Sequence, residues 1–284
     1  MTVFPTSPLI ERLIALALEE DLGVGDVTTQ ALISPDLMGE AHIRAKHYLV
    51  VAGLPLAALV FHKVNSNLGF EPQVEEGQAV AAGTVLAKIT GAAAAILTGE
   101  RTVLNFLQRL SGIATFTRQM VSLVAGSTAA LVDTRKTTPG WRALEKYAVR
   151  LGGARNHRAG LYDGVLIKNN HLAALGSITR AVKQAREQAH HLLKIEVEVT
   201  DLAGLEEALA AGADVILLDN LDEATMTQAV GISAGRALLE ASGSMSAARL
   251  PQVAATGVNL ISMGALTHSA PAADIHLWLI KTWK

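Results

Sequence analysis

The stretch A-D-V-I-L-L-D, residues 213–219, is a short apolar run that ends at the carboxylate of Asp219. Similar runs recur along the chain: A-A-L-V-D to Asp133, G-V-L-I-K to Lys168, K-I-E-V-E-V with Glu198, R-A-L-L-E-A-S-G with Ser242 and Gly243, and V-N-L-I-S-M-G to Gly264. From Lys168 to Gly264 the spacings are 30, 21, 23 and 22 residues, with helical stretches between them. This alternation predicts βα units around a parallel sheet, closed as a barrel or doubly wound.

Unusual polar or small residues stand at or near the ends of these predicted strands. They are Lys168, Glu198, Asp219, Ser242 and Gly264. In barrels of βα units the active site lies at the carboxyl ends of the strands, so we expect these residues to share one rim. The alternative interpretation is that each charge only marks where a strand leaves the core.

The first part of the chain follows a different pattern. The segment P-L-I-E-R-L-I-A-L-A-L-E-E-D-L-G predicts a helix whose buried face carries Leu9, Ile10, Leu13, Leu16 and Ala17. Short strand-like pieces broken by glycines follow to about residue 95, which is typical of a compact sandwich with tight turns. The segment G-E-R-T-V-L-N-F-L-Q-R-L-S-G then predicts a long helix that leads out of this region.

Composition excludes several classes of protein and of site. The 284 residues are 50% hydrophobic and 18% charged, which disfavours disorder, and the absence of cysteine excludes thiolate nucleophiles and Cys-based metal sites. We find no apolar run long enough for a membrane span and no signal peptide pattern, so a soluble cytoplasmic protein is expected. The net charge of −2 argues against general nucleic-acid binding.

Positive charge is concentrated in one segment of this slightly acidic chain. Residues 135–171 contain eight of the 24 Lys and Arg residues and only two acidic residues. Arg142, Lys146 and Arg150 recur at a spacing of four, which predicts a solvated helix face. The remaining cations near strand ends or turns are Arg135, Lys136, Arg158 and Lys168, with Arg155 in the same segment. Arginine forks and lysine point charges are suited to carboxylate and phosphate groups, and main-chain N–H groups of S-G-S (242–244) and M-G-A (263–265) could add phosphate sites.

Two carboxylates are expected at the same rim, on successive strands. Glu198 and Asp219 would repel a bound phosphate, and a Mg²⁺ ion that takes carboxylate and phosphate oxygens would remove that conflict. Glu196 and Glu198 share a side under strict alternation, and we prefer Glu198 because it is nearer the strand end. Ion pairing with the nearby cations is the structural alternative for both Glu198 and Asp219.

His157 and His171 could each act as an acid, a base or a hydrogen-bond donor, or could be structural. The sequence shows no pair of histidines at metal-ligand spacing, no Gly-x-Gly-x-x-Gly after a strand and no Walker A loop. These observations point to an enzyme that acts on a polyanionic, phosphorylated substrate with a divalent cation, and whose second ligand could also be anionic.

A series of motifs resembles the quinolinate phosphoribosyltransferase family over nearly the whole chain. In order they are E-E-D-L-G-V-G-D-V-T-T, E-R-T-V-L-N-F-L-Q-R-L-S-G-I-A-T, D-T-R-K-T-T-P-G, E-K-Y-A-V, N-H-R-A-G-L-Y-D, L-I-K-N-N-H, E-V-E-V, L-L-D-N, L-E-A-S-G and S-M-G-A-L-T-H-S. These motifs are long and specific to that family.

The resemblance implies an N-terminal α/β sandwich domain, residues 1–105, completed by about 270–284, and an α/β barrel with an incomplete strand set, residues 106–269. It implies a homodimer with shared sites, no nucleic acid and no membrane as partners, and a Mg²⁺-dependent reaction. Quinolinate and phosphoribosyl pyrophosphate would give nicotinate mononucleotide, pyrophosphate and CO₂.

The resemblance also implies roles for individual residues. Arg101 would be donated by the partner subunit. Arg135, His157 and Arg158 would hold the dicarboxylate, Lys136 and Lys168 would serve both substrates, and Glu198 and Asp219 would face the ribose and the metal. The phosphate loops would be formed by Ser242, Gly243, Ser244 and Gly264.

The chain departs from the family pattern at Asn169, Ser244 and Ala154, where aspartate, glycine and glycine are usual. Asn169 removes a charge near the site, and Ser244 would crowd a phosphate loop or donate to phosphate. These departures keep open a paralogue with a different acceptor. A non-catalytic module that binds RNA or nucleotides is a further alternative, and it predicts exposed aromatic residues among the cations.

Overall fold

The structure is a computed structural model that describes residues 2–284 of the chain. Its helices are α1 Pro8–Leu22, α2 Val27–Leu32, α3 Leu54–Val64, α4 Ala93–Leu123, α5 Arg142–Gly152, α6 Asn169–Leu175, α7 Ile178–Gln188, α8 Leu202–Ala210, α9 Glu223–Ser233, α10 Leu250–Ala255 and α11 Ala265–His268. Its strands are β1 Met38–Ala45, β2 Leu49–Val50, β3 Gly69–Pro72, β4 Ala79–Val80, β5 Val85–Ala92, β6 Ala130–Val132, β7 Val165–Ile167, β8 Ile195–Val199, β9 Val215–Asp219, β10 Leu238–Ser242, β11 Leu260–Ser262 and β12 Ile275–Trp283.

An antiparallel sheet in the order β12-β1-β5-β3 and a small sheet formed by β2 and β4 belong to the N-terminal part of the fold. The last strand, β12, pairs with β1 along its whole length, from Met38 opposite Trp283 to Ala45 opposite Ile275. The C-terminal tail therefore supplies an edge strand to the N-terminal sheet.

The six predicted βα strands form one sheet in the order β6-β11-β10-β9-β8-β7. All of its pairings are parallel, as expected for strands joined by helical crossovers. Within residues 2–284, β6 and β7 form the two edges of the sheet and do not pair with each other, and Arg155 adds an isolated parallel bridge to Val132. The α/β fold with an incomplete strand set is confirmed.

Contacts divide the chain into two compact units. One consists of the chain up to Arg118, Thr138–Gly153 and Ala270–Lys284, and the other of Gln119–Thr137 and Ala154–Ser269. These units are sets of contacts rather than chain segments, so the predicted boundary between residues 105 and 106 stays a prediction.

Helix α1 forms as predicted, but its buried face was predicted wrongly in part. The buried residues are Ile10, Ile14 and Leu18, whereas Leu9 is 45% and Leu16 61% exposed. The apolar residues of this helix extend over more than one face, so spacing alone left the choice of the packed face open.

The prediction that Arg142, Lys146 and Arg150 form a solvated face of helix α5 was wrong for Lys146. Arg150 is exposed, but Lys146 is buried at 5% exposure. The helix buries almost its whole surface, so charges at a spacing of four did not identify a side that faces water.

No helix formed by residues 2–284 combines the length and the apolar character that crossing a membrane requires.

Candidate active site

The carboxyl ends of the parallel strands surround a cavity of about 870 Å³. All the predicted site residues except Arg101 line it, namely Arg135, Lys136, His157, Arg158, Lys168, Glu198, Asp219, Ser242, Gly243, Ser244 and Gly264. Residues distant in sequence meet here because parallel strands end at the same edge of the sheet.

Arg101 lies on α4, is exposed, and is not among the residues that line this cavity. Its predicted contribution to the site of a partner subunit stays a prediction.

Strand register explains which carboxylates face the cavity. Glu198 and Glu240 both stand opposite Leu217 of β9, and Asp219 stands opposite Ser242 one level closer to the strand ends. Glu196 lies one level further from the ends than Glu198 and is 7% exposed. The structure therefore places Glu198 at the cavity wall and Glu196 beneath it, although both point to the same side of β8.

Lys136 is held at the cavity by a hydrogen bond to its main chain, and its side chain packs closely against Gly264. The hydroxyl of Thr267 donates to the carbonyl oxygen of Lys136 at 2.8 Å. A Cβ atom at Gly264 would lie 2.9 Å from Cδ of Lys136 and 3.2 Å from Nε2 of His268. Gly264 thus leaves the space through which the lysine stem reaches the cavity.

The guanidinium groups of Arg135 and Arg158 are close enough to affect each other. Burial lowers the pKa of Arg158, and the positive charge of Arg135 lowers it further. The guanidinium of Arg158 is oriented by a 2.9 Å hydrogen bond that its Nη1 donates to the carbonyl oxygen of Gly164. Two neighbouring guanidinium groups are suited to a ligand with two adjacent carboxylates.

Glu198 pairs with a cation and also faces the cavity. Its Oε2 lies 3.7 Å from Nζ of Lys168, and its Oε1 accepts from the N–H of Asn169 at 3.4 Å. The main-chain N–H at position 169 makes this contact whatever its side chain, so the departure from aspartate retains it. Glu198 and Asp219 together offer hard oxygen donors beside space for phosphate oxygens, which fits a Mg²⁺ ion.

His157 stands over a different pair of carboxylates. Its Nε2 lies 3.0 Å from Oε2 of Glu196 and 3.7 Å from Oε1 of Glu240. Among residues 2–284 this is the one group of three ligand-type side chains whose atoms approach within 4.8 Å of one another. Burial, and then the charge of Glu196, raise the pKa of Glu240 to about 7.

His171 lies on the first turn of α6 and does not line the cavity. Its Nδ1 accepts from the main-chain N–H of Lys168 at 2.9 Å. The side chain therefore caps the helix, which is compatible with the structural role, and its possible part in the reaction stays a prediction.

The loop after β10 has an unusual backbone conformation at two successive residues. Gly243 has φ 96° and Ser244 φ 42°, so successive residues lie in the left-handed region. Asn220, with φ 55°, donates its N–H to the carbonyl oxygen of Ser242 at 3.0 Å. Ser244 adopts this conformation at the position where the family has glycine.

Replacing Gly243 by alanine should lower the free energy of unfolding by about 2 kcal/mol, because the new Cβ meets a strained φ and a crowded neighbour. That Cβ would lie 3.0 Å from the main-chain N of Asn220 and closer still to its side chain. The matched control is Gly231→Ala in α9, where nothing lies within 4 Å of the new Cβ. This change should raise stability by about 0.5–1 kcal/mol. Urea unfolding of both variants checks the prediction, and equal effects of the two changes would contradict it.

Sequence reasoning missed several residues of the cavity wall, among them Glu240, Asn220 and His268. Glu240 stands two residues before Ser242 on the same strand, so strict alternation could have placed both on one face. His268 follows Gly264 by one helical turn, and that spacing could have identified it.

Comparisons with known proteins agree with this geometry. The chain matches the model of the quinolinate phosphoribosyl transferase N-terminal domain over residues 26–111 and that of the C-terminal domain over residues 113–278.

Two curated relatives bear the name probable nicotinate-nucleotide pyrophosphorylase [carboxylating]. The protein from Bacillus subtilis is 46% identical over 91% of this chain and 89% of its own length. That from Synechocystis is 44% identical over 99% of this chain and 96% of its own length. The solved nicotinate-nucleotide pyrophosphorylase of Francisella tularensis superposes with a TM-score of 0.94 at 37% identity, covering 99% of both chains. The chain therefore belongs to the quinolinate phosphoribosyl transferase family.

Proposed function

We propose that the protein transfers the phosphoribosyl group of phosphoribosyl pyrophosphate to quinolinate and removes one carboxylate as CO₂. The products are nicotinate mononucleotide, pyrophosphate and CO₂, in a step of NAD biosynthesis. The observation that carries this proposal is a single cavity that combines four cations with two carboxylates and a left-handed glycine turn. The cations are Arg135, Lys136, Arg158 and Lys168.

The surplus of cations corresponds to the charge of the two substrates. Quinolinate carries two adjacent carboxylates, which suit the neighbouring guanidinium groups of Arg135 and Arg158. The donor carries a 5′-phosphate and a pyrophosphate, which suit Lys136, Lys168 and the N–H groups of the loops at Ser242–Ser244 and Gly264. The site would thus hold both substrates in reacting positions without a covalent bond to the protein.

The bond changes require stabilisation of positive charge at C1′ of the ribose. The bond from C1′ to the pyrophosphate oxygen breaks and the pyrophosphate takes the electron pair, while the lone pair of the quinolinate nitrogen forms the new bond to C1′. The carboxylates of Glu198 and Asp219 would stabilise the oxocarbenium-like ribose electrostatically. The bond between the ring and its 2-carboxylate then breaks, CO₂ leaves, and the electron pair stays on C2, where the positive charge of the adjacent ring nitrogen stabilises it. A solvent proton completes the new C–H bond.

Glu198 and Asp219 are also the side chains that would hold a Mg²⁺ ion. When bound, the ion would neutralise charge on the leaving pyrophosphate. The carboxylates would then have two tasks, since they face both the ribose and the diphosphate.

We also propose that the enzyme is a homodimer in which Arg101 completes the site of the partner subunit. This part rests on the resemblance of the motif around Arg101 to the family. Its exposure and its absence from the cavity wall are compatible with it.

The RNA-binding alternative predicted exposed aromatic residues among the cations. Of the three candidates, Trp141 stacks on Phe106 at 4.8 Å between ring centroids and Tyr147 is 5% exposed, whereas Tyr162 is 79% exposed. One exposed ring does not form a stacking platform for successive bases.

The purified protein with quinolinate, phosphoribosyl pyrophosphate and Mg²⁺ should release equal amounts of pyrophosphate and CO₂. Label in the 2-carboxylate of quinolinate should appear in the CO₂, because that carboxylate is adjacent to the alkylated nitrogen. Nicotinate, which lacks this group, is the matched control and should give no CO₂. Turnover of another pyridine carboxylate, with none of quinolinate, would favour the paralogue and contradict the substrate assignment.

A further inference from the structure

The imidazole of His157 directs both ring nitrogens toward the protein itself. Nδ1 accepts from the main-chain N–H of Arg158 at 2.8 Å, so this nitrogen carries a lone pair. In the neutral ring the proton is then on Nε2, which lies 3.0 Å from Oε2 of Glu196. This arrangement makes Nε2 a donor to a buried carboxylate and leaves it without a lone pair for a metal ion.

The segment from Asn156 to Arg158 is also held by the buried carboxylate of Asp133. The N–H of His157 donates to Oδ1 of Asp133 at 2.8 Å, and the side-chain amide of Asn156 donates to Oδ2 at 2.7 Å. Asp133 is 0% exposed, so these bonds are shielded from water. The segment from Asn156 to Arg158 is therefore held by Asp133 and, through the His157 ring, by Glu196.

Glu240 is the least explained member of this cluster. It is 2% exposed, and its Oε1 has no hydrogen-bond partner among residues 2–284 while lying 3.7 Å from Nε2 of His157. A buried carboxylate costs free energy unless its surroundings compensate it, so its position in the central strand β10 calls for a role.

We propose that Glu240, acting with Glu196, is a positioning residue that clamps the His157 imidazole, and that this ring braces the Arg158 segment instead of contacting the acceptor. The expected changes in KM rest on the proposed function, whereas the protonation of the His157 ring does not. The guanidinium groups of Arg135 and Arg158 then bind the acceptor carboxylates, and His157 supports the segment that carries Arg158.

The carboxylate pair also acts on the charge of the site. Glu196 raises the pKa of Arg158 against the lowering by burial and by Arg135, so it stabilises the clustered cations. The groups that face Glu240 are Glu196 from β8, His157 and Asp133 from the segments beside β6, and the hydroxyl of Ser262 from β11. With a pKa of about 7, Glu240 is mostly neutral below that pH and anionic above it. We expect the second negative charge to weaken acceptor binding as the pH rises.

The protonation of the His157 ring can be measured without enzymatic turnover. The ¹⁵N shifts of His157, assigned by comparison with His157→Asn, should show a neutral ring protonated at Nε2 at pH 7. They should keep that pattern when quinolinate binds. A ring protonated at Nδ1, or one that changes its protonation when quinolinate is added, would overturn the proposal. Because the free protein gives the first reading, this result is independent of whether the protein is active.

Kinetics of Glu240 variants separate positioning from a general loss of structure. Glu240→Leu should raise KM for quinolinate about tenfold and change kcat by less than about threefold, because it removes a polar support and leaves the reacting groups. Glu240→Gln keeps the shape and resembles the protonated form, so its KM at pH 6.5 should be within about threefold of the wild-type value. The surface control Glu206→Gln removes one charge from the same unit and should match the wild type.

The ratio of the wild-type KM for quinolinate to that of Glu240→Gln, measured at several pH values, tests the effect of the Glu240 charge. Between pH 6.5 and 8.5 the KM of the wild type should rise relative to that of Glu240→Gln, because only the wild type gains the second charge. A constant ratio would show that the charge of Glu240 does not act on acceptor binding, and an unchanged KM in a folded Glu240→Leu protein would overturn the positioning role. Inactivity of the wild type would instead refute the proposed function, and the ¹⁵N pattern would still decide the state of His157.

Discussion

Replacing Arg101 by alanine is expected to reduce kcat/KM for quinolinate by at least about a hundredfold, although Arg101 does not line the cavity of its own chain. Truncating one partner of a desolvated charge pair costs about 2–5 kcal/mol, and an arginine donated by the partner subunit would form such a pair with the acceptor. The proposed dimer should persist, because an exposed arginine contributes little to folding. Steady-state kinetics and light scattering check both statements. Arg12→Ala, at an exposed position on α1, is the matched control.

Hybrid dimers make the prediction sharper. Lys136→Ala should be inactive, because it removes a cation that we assign to substrate binding. When Arg101→Ala is mixed with this variant, each hybrid has one site with both residues intact and one with neither. Random exchange should therefore restore about a quarter of the wild-type activity, since half the dimers are hybrids and one of their two sites is complete. Mixing Arg101→Ala with a double variant that lacks both residues should restore none. Proven subunit exchange without restored activity would contradict a shared site.

Asp219→Asn and Glu198→Gln should each lower kcat by about a hundredfold to a thousandfold. Both changes keep the shape of the side chain and remove the negative charge that we assign to the oxocarbenium-like ribose and to Mg²⁺. The Mg²⁺ concentration for half-maximal rate should rise as well, because a neutral amide is a weaker ligand for a hard cation. Rates measured across a Mg²⁺ titration separate the two effects. Glu206→Gln again serves as control, and retention of wild-type kcat in both site variants would refute the electrostatic role.

Much of the fold could be predicted because its signals are local. Apolar runs of about five residues between helical stretches predicted the six strands of the parallel sheet, and all six form. Parallel strands end at one edge, so the polar residues that follow them could be assigned to one rim without any contact being known.

Other features could not be predicted, because they depend on which surfaces pack. The buried face of α1 is the row Ile10, Ile14 and Leu18, although Leu9 and Leu16 of that helix are also large apolar residues and are exposed. Lys146 is buried although its spacing matched that of exposed residues. In both helices the buried face depends on which neighbouring elements pack against it, and a local sequence pattern does not contain that information.

The sequence by itself determined the order of the six parallel-sheet strands, the family, and eleven of the residues that line the cavity, because these follow from periodicity and from motifs. Only the tertiary structure decided what each residue of the set faces. Glu198 and Glu196 alternate identically on β8, yet one faces the cavity and the other lies beneath it against His157. Glu240 and Asp133 joined that buried group through contacts between distant segments. The physical reason is that alternation fixes the side of a strand, whereas depth and ring orientation depend on register and on partners from other strands.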